Sequence, residues 1–143
     1  MSKNKKSRRD ERETVMSLLY SYSFRGDEAP EDIILDPENI PTEFESETFL
    51  GAVSFIPEAD RLIEKDSKSW KASRLSPVTS AVLHLAVYEM LKTDVPPKVA
   101  INEAVELAKK YDDAAAPSFI NGILNRIGRE EGILGGNNGE GEN

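Results

Sequence analysis

The chain of 143 residues contains no cysteine, which excludes a disulfide framework and a thiolate-held metal site. It contains a single histidine, His84, set inside the most apolar segment, where it reads as a structural residue rather than a ligand or base. No apolar run approaches the ~20 residues of a membrane span. The charged N-terminus lacks the apolar stretch of a secretion signal, so a cytoplasmic protein is the expectation. There is no Gly-rich phosphate loop, no paired-histidine zinc motif and no nucleophile elbow, which leaves enzymatic chemistry without a constellation to carry it. No cofactor or metal is expected. Strand-like alternation is missing too, and every long periodic segment is helical.

What is present is an uneven charge. The formal net charge is −8, which taken alone argues against a nucleic-acid partner. Residues 1–12, however, hold six basic groups and two acidic ones, a net of +4, and the remainder holds twelve basic and twenty-four acidic, a net of −12. A basic arm on an acidic body leaves the arm as the main handle for a polyanion. A merely solvated tail is the competing reading of the same charges. The length suits one domain. The expected division is a flexible basic arm over 1–8, one helical domain over 9–130, and a Gly/Asn/Glu tail over 131–143.

Helical periodicity begins near Arg9 and runs to Phe24, with Val15, Leu18, Leu19 and Tyr22 as the core stripe. Residues 26–41 carry Gly26, Pro30, Pro37 and Pro41 and read as loop, with a short helical turn at Ile33–Leu35. Thr42 and Glu45 form a capping box at the start of the next helix. Pro57 predicts a kink or break there, with a second segment running on to about Lys68. Trp70 and Leu75 follow in a short connection or a further helical turn. Ser76-Pro77 is a helix start, and the nearly all-apolar segment Pro77–Leu91 is expected at the centre of the molecule. A further helix covers Ala100–Tyr111, and Pro117 opens the last one, with Phe119, Ile120, Ile123, Leu124 and Ile127. The fold class is all-α, a compact bundle of about six or seven helices.

Arg8, Arg9 and Arg12 lie three and four apart at the start of the first helix and share its sides. A guanidinium fork suits phosphates, but cations at a helix N-terminus oppose its dipole, and such local conflicts often mark function. Tyr20 reads equally as a stacking ring for an unpaired base or as a core tyrosine with a wet hydroxyl. Phe119 reads first as core.

The order of several blocks carries more. Arg8-Arg9-Asp10-Glu11-Arg12-Glu13 with Leu19-Tyr20, Trp70 with Arg74-Leu75, Ala81-Val82-Leu83 with Ala86-Val87-Tyr88-Glu89, the run Asp94–Lys109 (DVPPKVAINEAVELAK), and Phe119-Ile120-Asn121-Gly122-Ile123-Leu124 resemble, in order and spacing, the NusB family of RNA-binding transcription antitermination factors. The resemblance implies an all-helical fold. It also implies binding of boxA-type single-stranded RNA together with the small-subunit ribosomal protein NusE, within an RNA polymerase antitermination complex. It places RNA contact at Arg8, Arg9, Arg12, Tyr20, Lys98 and Phe119, and gives Gly122 a role in close helix approach. A homodimer is one oligomeric state the resemblance leaves open. Thr79-Ser80, His84 and Ala115-Ala116 depart from the family pattern, and weaker RNA binding than in typical members is the expectation. A non-catalytic helical adaptor that binds protein without RNA is the alternative.

Overall fold

A computed structural model describes residues 6–65 and 74–135. The readings made for residues 1–5, Lys68, Trp70 and the 136–143 part of the tail lie outside the described residues. Among the described residues six helices follow one another: α1 (Arg8–Tyr22), α2 (Pro30–Ile33), α3 (Glu43–Glu64), α4 (Pro77–Lys92), α5 (Pro97–Tyr111) and α6 (Ala116–Glu130). There is no strand among the described residues, and none of the helices is long and apolar enough to cross a membrane.

Burial explains the arrangement. α4 buries Ala81, Val82, Leu83, Leu85, Ala86, Val87 and Met90, which leaves little solvent face, and it packs against α1, α3, α5 and α6. The amphipathic helices surround it, each turning one stripe inward: Val15, Met16 and Leu19 from α1, Leu107 and Ala108 from α5, Ile120, Ile123, Leu124 and Ile127 from α6.

The caps read from the sequence are in place. Thr42 and Glu45 make both bonds of a capping box, and the Ser76 side chain accepts from the backbone N–H of Thr79 above a proline in the first turn. Ser7 caps α1 by accepting from the Asp10 N–H, and Asp10 and Glu11 in the first turn offset the arginines there. α5 starts at Pro97, a turn earlier than the periodicity gave, because proline is suited to a first helical turn.

Two expectations are corrected. α3 neither breaks nor restarts at Pro57 but runs through it. Apolar burial on both sides of the proline, Phe49 and Ala52 before it, Ala59, Leu62 and Ile63 after it, outweighs one lost backbone hydrogen bond. Gly122 is exposed, and a Cβ added there would meet nothing, so it mediates no close approach. The glycines that do are Gly51, where a Cβ would collide with the Tyr88 ring, and Gly128, where it would collide with Leu134.

Candidate nucleic-acid interface

α1 is amphipathic in three directions. Val15, Met16 and Leu19 enter the core, and so does Arg12, which is only 6 % exposed. Its Nε donates to both carboxylate oxygens of Glu89 on α4, at 2.9 and 3.1 Å. Glu89 is 1 % exposed, and burial raises its carboxyl above the usual glutamate range despite the guanidinium beside it. Arg12 is thus a buried partner of α4, unlike the two arginines before it.

A second side of α1 faces the start of α3. Arg8 donates to Glu11 at 3.0 Å and its guanidinium carbon lies 3.9 Å from the centroid of the Phe44 ring, a cation–π contact. Lys6 donates to Glu45 at 2.6 Å and to Thr14 at 2.9 Å. Glu11 in turn accepts from the Thr42 hydroxyl at 2.6 Å. The basic residues at this end are exposed but engaged.

The third side bears the site. Arg9, Glu13, Ser17 and Tyr20 recur at helical spacing and face α5. Arg9 grips Glu103 through two parallel bonds, Nε to Oε1 at 3.0 Å and Nη2 to Oε2 at 2.8 Å. The hydrogen bond from Arg9 is the first reason the Glu103 carboxyl sits below its usual range. One turn on, Glu13 accepts from Lys110 Nζ at 2.7 Å and from the Tyr111 hydroxyl at 2.9 Å; the bond to Glu13 is the main cause of a raised Lys110 ammonium pKa. Arg9, Glu13, Glu103, Leu107 and Lys110 line an open groove of about 300 Å³. Beyond it, Met16, Ser17, Tyr20, Val78 and Tyr111 line a second cavity of about 230 Å³.

Of the residues expected in the site, Arg8 and Arg9 are exposed at the leading end of α1, and Lys98 is exposed at the start of α5 with no ion pair among the described residues. Tyr20, 41 % exposed, lies on the Arg9 side of α1, about 16 Å along the axis at 1.5 Å per residue. Phe119 is half-buried against the core in the first turns of α6, and that helix begins five residues after Tyr111. Arg12 alone is withdrawn from the surface. Sequence reasoning missed Glu13, Glu103, Lys110 and Tyr111. Their signal was a pair of ladders, Arg9-Glu13-Ser17-Tyr20 on α1 and Glu103-Glu106-Leu107-Lys110 on α5, whose facing is set only by the tertiary fold. Among the described residues, no group of histidine and carboxylate side chains could hold a metal ion.

The family model described as the NusB family matches residues 9–129. The chain is 40 % identical over 129 residues to the transcription antitermination protein NusB of a Nitratiruptor species, spanning 87 % of this chain and 93 % of that protein. It is 44 % identical over 126 residues to the protein of the same name from Acetivibrio thermocellus, spanning 84 % and 87 %. Among solved structures, NusB of T. maritima superposes with a TM-score of 0.76 at 36 % identity, covering 88 % of this chain and 93 % of that one. A chain from a crystal structure of antitermination factors NusB and NusE in complex with dsRNA superposes with a TM-score of 0.71 at 30 % identity, covering 86 % and 96 %.

Proposed function

The chain belongs to the NusB family, and on that premise we propose that it is a non-catalytic, RNA-binding transcription antitermination factor that acts with the small-subunit ribosomal protein NusE in an RNA polymerase antitermination complex. Its RNA is a boxA-type single strand. The observation that carries this reading is the placement of Arg9 and Lys110 in one groove between α1 and α5, at the basic leading end of α1, with Tyr20 exposed further along the same side of α1. There the Arg9 guanidinium and the Lys110 ammonium exchange Glu103 and Glu13 for phosphates, and the ring takes an unpaired base. Arg8 and Lys98 extend the basic end, Phe119 adds an aromatic edge at the other, and Arg12 acts from inside by fixing α1 to α4. The acidic remainder of the body offers a docking surface to a basic ribosomal protein. Residues 9–130 form the binding domain and the arm over 1–8 its electrostatic extension.

The relative solved with NusE holds dsRNA, so single- and double-stranded forms are compared in one filter-binding series. The single-stranded boxA oligonucleotide binds more tightly, and Arg8→Ala with Arg9→Ala weakens it and flattens the dependence of log affinity on log salt by about 0.7 per lost phosphate contact. An unchanged slope rejects the arm and the leading end of α1 as the contact. The second reading, a protein adaptor without RNA contact, draws on the internal pairing of Arg9 with Glu103. It predicts capture of the ribosomal protein but no RNA retention at any salt.

A further inference from the structure

A cavity of about 210 Å³ opens between α1, α2 and the start of α3, with Leu18, Ile33, Ile34 and Pro41 among its walls. Glu45, the buried carboxylate of its lining, is already satisfied by Lys6 at 2.6 Å and by the Thr42 N–H at 3.0 Å, so its polar end calls for no ligand. The solvent side of the lining is Asp36, Asn39 and Ile40. Ile40 is 81 % exposed, and Leu35, between the lining residues Ile34 and Asp36, is 73 % exposed. These are the two most exposed large apolar side chains among the described residues. Apolar area left in water beside an apolar cavity marks an interaction site.

The segment that supplies this outer wall is strongly anionic. Residues 25–40 hold Asp27, Glu28, Glu31, Asp32, Asp36 and Glu38 against Arg25 alone, a net of −5. Arg25 is taken up by Glu28 at 3.0 Å. Glu31, Asp32 and Glu38 are exposed and have no ion-pair partner among the described residues. Asp36 accepts from Asn39 Nδ2 at 3.0 Å and from the Glu38 N–H at 2.9 Å, bonds that hold its carboxyl below the usual range. Thr14 and Leu18, which line the cavity from α1, lie about a third of a turn around that helix from Arg9, Glu13 and Tyr20.

We propose that this cavity and its acidic rim dock a protein partner additional to the ribosomal protein: a cationic segment that places one bulky apolar side chain in the cavity and sets lysines or arginines against Asp36 and the carboxylates beside it. Charge selects the occupant. A net of −5 repels a nucleic acid and attracts a basic peptide. The cavity is smaller than the ~300–1,000 Å³ pockets of drug-sized ligands, which suits a single anchor side chain, and a few such anchors carry most of the energy of a protein interface. The carboxylates around it steer encounter and choose the partner. Because the site is turned away from the RNA side of α1, a protein that acts together with RNA leaves it uncovered.

The test pans a random heptapeptide library on the full chain and titrates the selected peptides, labelled with fluorescein, by polarisation. The selected peptides carry several lysines or arginines and one bulky apolar position. Serine at that position of the peptide and Ile40→Ser in the protein each weaken binding roughly tenfold, and the two changes together cost little more than either alone, since both remove one contact. Glu31→Gln with Glu38→Gln weakens binding and flattens its dependence on salt. Ile40, Glu31 and Glu38 are exposed, and circular dichroism confirms that the variants keep the helical fold. Selection of neutral or acidic peptides, or binding indifferent to Ile40→Ser, overturns the proposal. Displacement of the peptide by the ribosomal protein overturns the additional partner. Removal of residues 1–5 that tightens peptide binding tenfold makes the chain's own basic arm the occupant and overturns an external one. A dimer of the parent chain that Leu35→Ser with Ile40→Ser turns into a monomer makes the occupant a second copy, and also overturns it.

Discussion

Arg12 and Glu89 meet where both side chains are almost entirely shielded from water, with exposures of 7 % and 2 %. Removing the cation leaves a buried carboxylate unpaired, which costs about 3–5 kcal/mol. Arg12→Ala is therefore expected to lower the unfolding free energy by that amount, measured by urea denaturation. The loss should vary with pH. Burial already raises the folded Glu89 carboxyl above its unfolded value, so its ionisation removes stability as pH rises from the unfolded value through the folded one. Without Arg12 the folded value rises further, and the deficit grows from about pH 4 to 7. A deficit equal at both pH values contradicts the pairing. Glu103 gives the opposite sign. Its carboxyl is lowered by Arg9, so the pair stabilises the fold above the unfolded carboxyl pKa and that contribution fades as pH falls through the folded value. The same carboxylate occupies the fork that a phosphate needs. Glu103→Gln should tighten RNA binding by up to about fivefold, the worth of an exposed ion pair, while slightly lowering stability at pH 7 and not in acid. Weaker RNA binding in this variant would show that Glu103 holds Arg9 in position for RNA rather than competing for it.

α3 shows what a helix tolerates when its burial is sufficient. Pro57 is exposed, so its ring takes no place in the core that α3 buries on either side of it. At the far end Arg126 donates to the carbonyls of Leu62 and Ile63, at 3.1 and 2.9 Å, and so satisfies terminal acceptors that the helix itself leaves open. Pro57→Ala should stabilise the protein by about 1–3 kcal/mol, the interior proline penalty less the entropy that proline removes from the unfolded chain. Urea denaturation measures it, and an unchanged or lower midpoint would mean that the proline shapes a packing the helix needs. The elements that were legible in the sequence are those with local causes: the Thr42–Glu45 box, the Ser76-Pro77 start, the apolar run of α4. Continuity through Pro57 was illegible because it depends on what packs on either side. Burial of Arg12 was illegible for the same reason, since its partner lies 77 residues away. The resemblance reached the leading arginines and Tyr20 because they sit in motifs. Tyr111 gained its place only when α5 was laid along α1.

Across the whole molecule, a net of +4 in the first twelve residues faces a net of −12 in the rest. RNA approaching the leading end of α1 is attracted locally and repelled by the body. A basic ribosomal protein seated on the acidic surface would cancel part of that repulsion, so the two ligands should bind cooperatively with no change of shape. Cooperativity of this origin is reciprocal: RNA must strengthen partner binding by the factor that the partner strengthens RNA binding. It must also be screened, because the Debye length falls from about 10 Å at 0.1 M salt to about 3 Å at 1 M. Titrations of RNA with and without the ribosomal protein, at low and high ionic strength, should show a coupling that shrinks toward unity as salt rises. Neutralising acidic residues remote from both ligands should raise RNA affinity in the absence of the partner and reduce the coupling by a similar factor. A coupling that persists undiminished at high salt would locate its source in direct contact between RNA and partner instead of in the field of the body.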